Sequence, residues 1–360
     1  MTKCHALYLA CTAAIVGTGL GAAPAAAGPA PRAPHAIRVV LPGQSIQKAV
    51  DAAAPGDTVF LTPGLYRESV TIAKSGVTLR GAGHDTVLQP APAKNKAANT
   101  CAAEGNGICV TGTKDHKLRG VTLTSLTVSG FTKNGVYATA TDRLTVRNVT
   151  AEKNGVWGIA TEASVRTLLR GNTARANGDA GLFLANTVKE EQGATDTRGT
   201  RVLDNRLEGN RIGVTVRRLR ELTVAGNTMT GNCAAVFVVG DENKPKAGHV
   251  TVRDNRITRN NKSCPKTARL DALQGSGIVL TGAEDSVITR NVITDNVGGS
   301  PLSGGIVLFK SFVGTTSERN RISDNVLRGN SPADLVVTDT GKGNTFKGNS
   351  CKASKPAGLC

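Results

Sequence analysis

The chain has 360 residues, of which 42 are Gly; apolar residues make up 39% and aromatic residues only 3%. That apolar share excludes a disordered chain, and the scarcity of aromatics requires a core closed by Val, Leu, Ile, Ala and Thr. Lys and Arg number 44 against 27 Asp and Glu, a formal charge of +17. No apolar run beyond residue 27 reaches the ~18 residues of a bilayer span, so collagen, coiled coil and helical membrane channel are all excluded.

The N-terminus reads as an export signal. Lys3 supplies the positive region, Ala6 to Ala23 the apolar stretch, and Ala25-Ala26-Ala27 the small-residue cleavage site. A signal over 1–27 and a Pro/Ala linker over 28–36 follow, and the protein is expected to be secreted. A lipid anchor at Cys11 competes poorly, because Tyr8 stands where that motif wants Leu. Cleavage would remove Lys3 alone among the charges, leaving +16 of the +17. Cys4 and Cys11 would leave with the signal. The other cysteines fall into close pairs, Cys101/Cys109, Cys233/Cys264 and Cys351/Cys360, which in an exported chain are expected to be disulfides. No pair has C-x-x-C spacing, so no metal or redox chemistry is assigned to them.

From residue 45 the chain offers one convincing helix, 45–54, with Ser45 as N-cap, Ile46, Ala49, Val50 and Ala53 as apolar stripe, and Pro55-Gly56 as stop. Beyond it a repeat dominates. Asn recurs at 148, 172, 205, 227, 255, 291, 325 and 349, each closing a short strand-like run such as LTVRN or VTVRDN. A second Asn follows at 154, 177, 210, 232, 260, 296 and 330, and then another apolar strand such as GLFLA, AVFVV or GIVLF. Strands this short, with no two-residue turn joining matched partners, cannot form hairpins. Each can pair with its counterpart one coil later, stacking like residues at ~4.8 Å so that Asn amides bond along the ladder. The fold predicted is all-β, a parallel β-helix over 37–350, with 45–54 as its cap and 351–360 as a disulfide-closed tail.

The segment PGQSIQKAVDAAAPGDTVFLTPGLYRESVTIAKSGVTLRGAG, followed by these Asn-rich coils, resembles the pectate-lyase-like superfamily of secreted right-handed parallel β-helix proteins. The resemblance covers roughly 37–350. It implies a substrate cleft along one sheet, walled by loops at the sheet's two edges, and leaves the activity open.

Insertions follow the third strand of a coil at 186–200, 241–248 and 313–318, and precede it at 262–276 and 297–303. The resemblance makes that strand the cleft floor. With Val136, Val156, Leu182, Val214 and Val236 inward, the next residues, Tyr137, Trp157, Phe183, Thr215 and Phe237, form an outward column. Aromatic faces in a row would suit sugar rings; an insertion folded over them would instead make a satellite core.

Charges gather at the end of the same strand: Arg217, Arg218 and Arg220, then Asp241 and Glu242, then Glu284 and Asp285, then Lys310. On adjacent coils the four carboxylates would invite a hard cation such as Ca²⁺. Arg217 and Lys310 beside it would suit β-elimination on a uronate, the cations acidifying the C–H and a base of lowered pKa removing the proton. Arg218 is assigned to substrate binding. The alternative is a solvated turn of self-pairing ions.

The Asn-Thr-Asp, Gly-His-Gly and Arg-Ile-Lys segments of the superfamily's acidic hydrolases are missing, as is the Asp-Pro-His-Asp of its uronate epimerases. His35, His84, His116 and His249 share no face. Copper-maturation β-helices are another comparison, but beyond the signal only Met229 and paired Cys are present as soft donors. Arg147, Arg201, Arg253 and Arg290 spread further charge over outward positions. The partner expected is an acidic polysaccharide or an anionic cell-wall polymer, not nucleic acid. The function expected is an exported, monomeric glycan binder, with lyase activity by elimination as the enzymatic reading and a non-catalytic surface module as the alternative.

Overall fold

Three-residue units such as Thr145-Val146-Arg147 and Thr173-Ala174-Arg175 bury their central residue and leave the flanks outside, the period-two pattern of a strand. Each is too short to stand alone and pairs in parallel with the same unit one coil on: Val146 lies opposite Leu169, and Leu169 opposite Val202. The computed structural model describes residues 35–92, 99–268 and 270–360; the expected signal and nearly all of the linker lie outside them.

Stacking builds three parallel sheets of 13, 10 and 11 strands among the described residues. Sheet 1 runs from Ile37–Val40 to Thr345–Lys347, sheet 2 from Gly64–Arg67 to Val326–Arg328, and sheet 3 from Val70–Ile72 to Ser354–Lys355. The result is a right-handed parallel β-helix. Its core is a narrow column of aliphatics, among them Val146, Leu207, Ile257 and Ile306, with room for few large rings. The aromatic poverty of the sequence follows from that width.

The Asn ladders are continuous. The Oδ1 of Asn205 accepts from the backbone N–H and the Nδ2 of Asn172 at 2.9 and 3.0 Å, and its own Nδ2 donates to Leu169 O at 3.0 Å and Asn227 Oδ1 at 2.9 Å. Every polar atom of the buried amide is thereby used. The pattern continues through Asn255, Asn291, Asn325 and Asn349. The second ladder runs from Asn154 to Asn330 and ends on Asp334 Oδ1. Asn148, expected in the first ladder, is exposed at φ 52°; the amide of Val149 takes the place and donates to Asn172 at 3.0 Å.

At the N-terminal end the helix Ile46–Ala52 buries Ile46 and Val50, with Ser45 Oγ accepting from Lys48 N–H at 3.3 Å. Glu68 on the following coil accepts from the free Ile46 and Gln47 amides. All three expected cysteine pairs are bonded: Cys101 to Cys109, Cys233 to Cys264 and Cys351 to Cys360. The first joins the short helix Thr100–Ala103 to the strand Ile108–Thr111 of sheet 3. Within the loop closed by Cys351–Cys360, Ser354 and Lys355 pair with Leu335 and Val336, so the solenoid continues into the tail expected to lie beyond it.

Candidate functional site

The outer face of sheet 3 carries one column in register: Cys109, Tyr137, Ala160, Phe183, Thr215, Phe237, Val279 and Val307. The residues before these, including Ile108 and Ile159, are buried in the main core. Cys109 is a correction to the sequence reading, which gave it no part beyond its disulfide and began the column at Tyr137. It alternates with the inward Ile108 and Val110, so its side chain faces out, one coil before Tyr137, and only 5% of it is exposed. The bond to Cys101 thus occupies the column position between Thr71 and Tyr137.

Ile159, not Val156, is the inward residue of its coil, and Trp157 stands three residues before the column, in the turn. Asn134-Gly135 and Asn154-Gly155 look alike but hold different places. Asn154 Oδ1 accepts from Phe131 N–H, whereas Asn134 Oδ1 accepts from Trp157 N–H, both at 3.1 Å. The indole nevertheless returns to the column, where Ala160 leaves a gap between two rings. Trp157 lies 4.0 Å from Phe183 at 7° and 6.4 Å from Tyr137 at 23°. Two coils span about 9.6 Å, which matches an indole held between the two rings. These ring faces point along the axis and meet each other, so the expected outward row of sugar-stacking faces is not formed by Trp157 and Phe183.

Phe183, Phe237, Val279 and Val307 form a second apolar cluster outside the barrel with Cys233, Cys264, Leu273 and Leu302. The disulfide-anchored insertion before Ser276–Thr281 and the one before Gly304–Phe309 bury Val279 and Val307 completely. That part of the column is a satellite core. Over Phe183, Thr215 and Phe237 the cover opens into a cavity of about 800 Å³. The hydroxyl of Thr215 on its floor has no hydrogen-bond partner in the protein.

One wall carries Trp157, Asp179 and Arg211; the other carries Lys189, Arg217, Arg218 and Asp241, with Phe312 and Val313 beside them. Arg217 reaches the carbonyls of Thr187 and Val188 at 3.4 and 3.5 Å. Arg218 is buried against Asp241 and also pairs with Glu191 at 3.2 Å. Phe312 is 53% exposed and tilted against Phe309 with centroids 5.9 Å apart, which leaves an aromatic surface open to the groove. Tyr137 donates to Glu162, whose other oxygen accepts from Val188 N–H at 2.8 Å and ties down the 186–194 loop. Burial and that carboxylate push the phenol's pKa up.

The expected acidic cluster is dispersed among arginines. Asp241 belongs to Arg218, while Glu284 is held by Arg220 and Arg319, each at 2.7 Å. Asp285 is held by Arg319 at 2.9 Å, a contact that lowers its pKa, and Glu242 is exposed. Among the described residues no three His, Cys, Asp or Glu side chains gather as a metal site. Guanidinium groups neutralise the charge that Ca²⁺ was expected to relieve, and the donor set does not fit that ion. Lys310 is exposed and lies outside the cavity lining, whereas its neighbours Ser311, Phe312 and Val313 line it. The proposed catalytic pair is thus divided. Asp179, Arg211 and Phe312 were missed; only the apolar Phe312-Val313 pair at the start of the 313–318 insertion could have signalled its place.

Comparison with known proteins agrees with this architecture. The family model of the right-handed β-helix region matches residues 93–249, and that of the periplasmic copper-binding protein NosD matches 186–357. No curated protein matches the sequence. The A-module of Azotobacter vinelandii mannuronan C-5 epimerase AlgE4 is 21% identical at TM-score 0.55, with 85% of this chain and 90% of that one covered. The DFA-IIIase of Arthrobacter chlorophenolicus A6, without its lid and in complex with GF2, is 14% identical at TM-score 0.55, covering 85% and 91%. The Dettilon tailspike protein is 12% identical at TM-score 0.54, covering 87% and 67%. The chain has the right-handed parallel β-helix fold, and the β-helix family model matches part of it. At these identities the solved structures speak for the fold alone. Copper favours His, Met and Cys donors, but Met229 is fully buried in the main core and the described cysteines, Cys109 among them, are all disulfide-bonded. The residues present do not fit a copper site.

Proposed function

We propose that the chain is an exported glycan-binding β-helix that holds an acidic polysaccharide in the groove over sheet 3. The observation that carries this is the open cavity of about 800 Å³ with an apolar floor, Lys189 and Arg217 on one wall and Phe312 at its edge. A sugar chain there would place C–H surface on Phe312 and the floor, an acidic group towards Arg217, and a hydroxyl within reach of Thr215. The cationic chain would draw such a polymer in from solution, an attraction that salt weakens. The epimerase module of like fold is named for mannuronan, itself an acidic polysaccharide, which agrees with this reading by analogy only.

Binding is favoured over β-elimination because Arg217 lines the cavity and Lys310 does not. The test is to measure binding of polygalacturonate, alginate and a glycosaminoglycan alongside a neutral glucan, while following ultraviolet absorbance for unsaturated ends. Affinity for an acidic polymer that falls in Arg217→Ala and stays in Lys310→Ala, without new absorbance, is the expected result. Unsaturated product would establish a lyase instead, and equal affinity for the neutral glucan would sink the acidic specificity.

A further inference from the structure

Asp179 is a carboxyl group that none of these roles uses. It precedes the strand Ala180–Ala185, is half-buried, and lines the groove beside Trp157. Its side-chain partner among the described residues is neutral: the indole Nε1–H of Trp157 donates to Oδ2 at 3.0 Å. The nearest guanidinium is committed elsewhere, since Arg211 donates to the carbonyls of Pro265 and Asp271 at 2.8 and 3.2 Å. From the insertion packed above, Lys266 pairs with Asp271 at 3.0 Å. The charged groups of the facing wall are Lys189, Glu191, Arg217, Arg218 and Asp241, with Asp241 and Glu191 paired to Arg218.

We infer that Asp179 is a ligand-contacting carboxyl of the groove, protonated when an acidic sugar is bound, so that its O–H donates to the sugar's carboxylate. This rests on the glycan reading of the same groove. A carboxylic acid facing a carboxylate makes a charge-assisted hydrogen bond, whereas two carboxylates there would repel. Loss of water around Asp179 raises its pKa, against the opposing effects of the Trp157 hydrogen bond and the Arg211 charge. The groove then has two recognition walls: Arg217 attracts an anion as a fixed cation, and Asp179 accepts one only in its neutral form.

The chain has a single Trp, and it touches Asp179, so the free protein carries its own reporter. Trp fluorescence should titrate with a midpoint above the ordinary Asp value, and Asp179→Asn should abolish that transition. Dissociation constants for oligogalacturonate and oligomannuronate, measured by calorimetry from about pH 5 to 8, should rise with pH by up to about tenfold per unit. Asp179→Asn, which can still donate, should bind as tightly as the wild type at the low end and lose the pH dependence. Binding that ignores both pH and this substitution would overturn the inference while leaving the glycan reading intact. No binding of either oligomer at any pH would overturn both.

Discussion

Trp157 and Phe183 stack face to face with centroids 4.0 Å apart, although the column position between Tyr137 and Phe183 belongs to Ala160. A methyl group in the column makes room for an indole that enters from the turn. Ala160→Leu should therefore expel the indole, at a cost of about 1–3 kcal/mol for overpacking. Thermal unfolding and a red shift of Trp emission would measure it; an unchanged spectrum would refute the arrangement.

Each ladder amide serves two coils at once. In Asn227→Ala, the backbone N–H and Nδ2 of Asn205 lose their acceptor, and the carbonyls of Val202 and Ala225 lose a donor. Unpaired buried polar groups cost about 1–3 kcal/mol each. The loss expected is several kcal/mol, read as a lower unfolding midpoint in urea. Asn148→Ala, outside the ladder and exposed, should lower that midpoint less, by about 1–2 kcal/mol, the cost of holding Ala at φ 52°.

Cys233–Cys264 closes a sequence separation of 31 residues and anchors one wall of the groove. Chain entropy predicts a loss of up to about 4 kcal/mol when both are replaced by Ala. Calorimetric unfolding should show it, accompanied by weaker polymer binding. Replacing Cys351 and Cys360, remote in sequence from that wall, should reduce stability without changing affinity.

Asp142 is held by Arg166 through a two-point contact at 2.7 and 2.5 Å, and that hydrogen bond lowers its pKa despite the opposing effect of burial. The folded carboxyl thus ionises below its unfolded value of 3.8. Its stabilisation is complete above that pH and disappears as pH falls through the folded pKa. Wild type should exceed Arg166→Met in unfolding temperature near neutrality, and the gap should close in acid. A gap that persists unchanged at pH 2 would place the effect in packing rather than charge.

The fold was legible because its determinant is periodic: Asn154, Asn177, Asn210 and their successors mark the coils directly. Register failed at the one coil where Asn134-Gly135 imitated Asn154-Gly155, a local likeness that only inter-coil hydrogen bonds can resolve. Cys109 was legible as a bridge but not as a column residue, although Asn106 precedes its strand at the spacing of Asn134 before Val136 and accepts from Asn134 at 2.9 Å. The loops near the groove were locatable from coil length, but their contents were not. Asp241 and Glu284 were read by rung spacing as neighbours sharing one ion, yet side-chain reach decides the matter: Arg218, Arg220 and Arg319 arrive from other positions and separate them. Asp179 gave no warning at all, because its character comes from the cover above it.

Successive Asn residues of the first ladder are as few as 22 and as many as 36 positions apart, yet they meet with the same geometry. The scaffold therefore ignores how much polypeptide lies between its contact points, provided the surplus leaves from the rims of sheet 3. The loops that cover the groove are encoded apart from the ladder Asn residues, while its floor residues Phe183, Thr215 and Phe237 belong to the barrel strands. A descendant could acquire a different ligand by exchanging whole excursions, with no compensating change in the barrel.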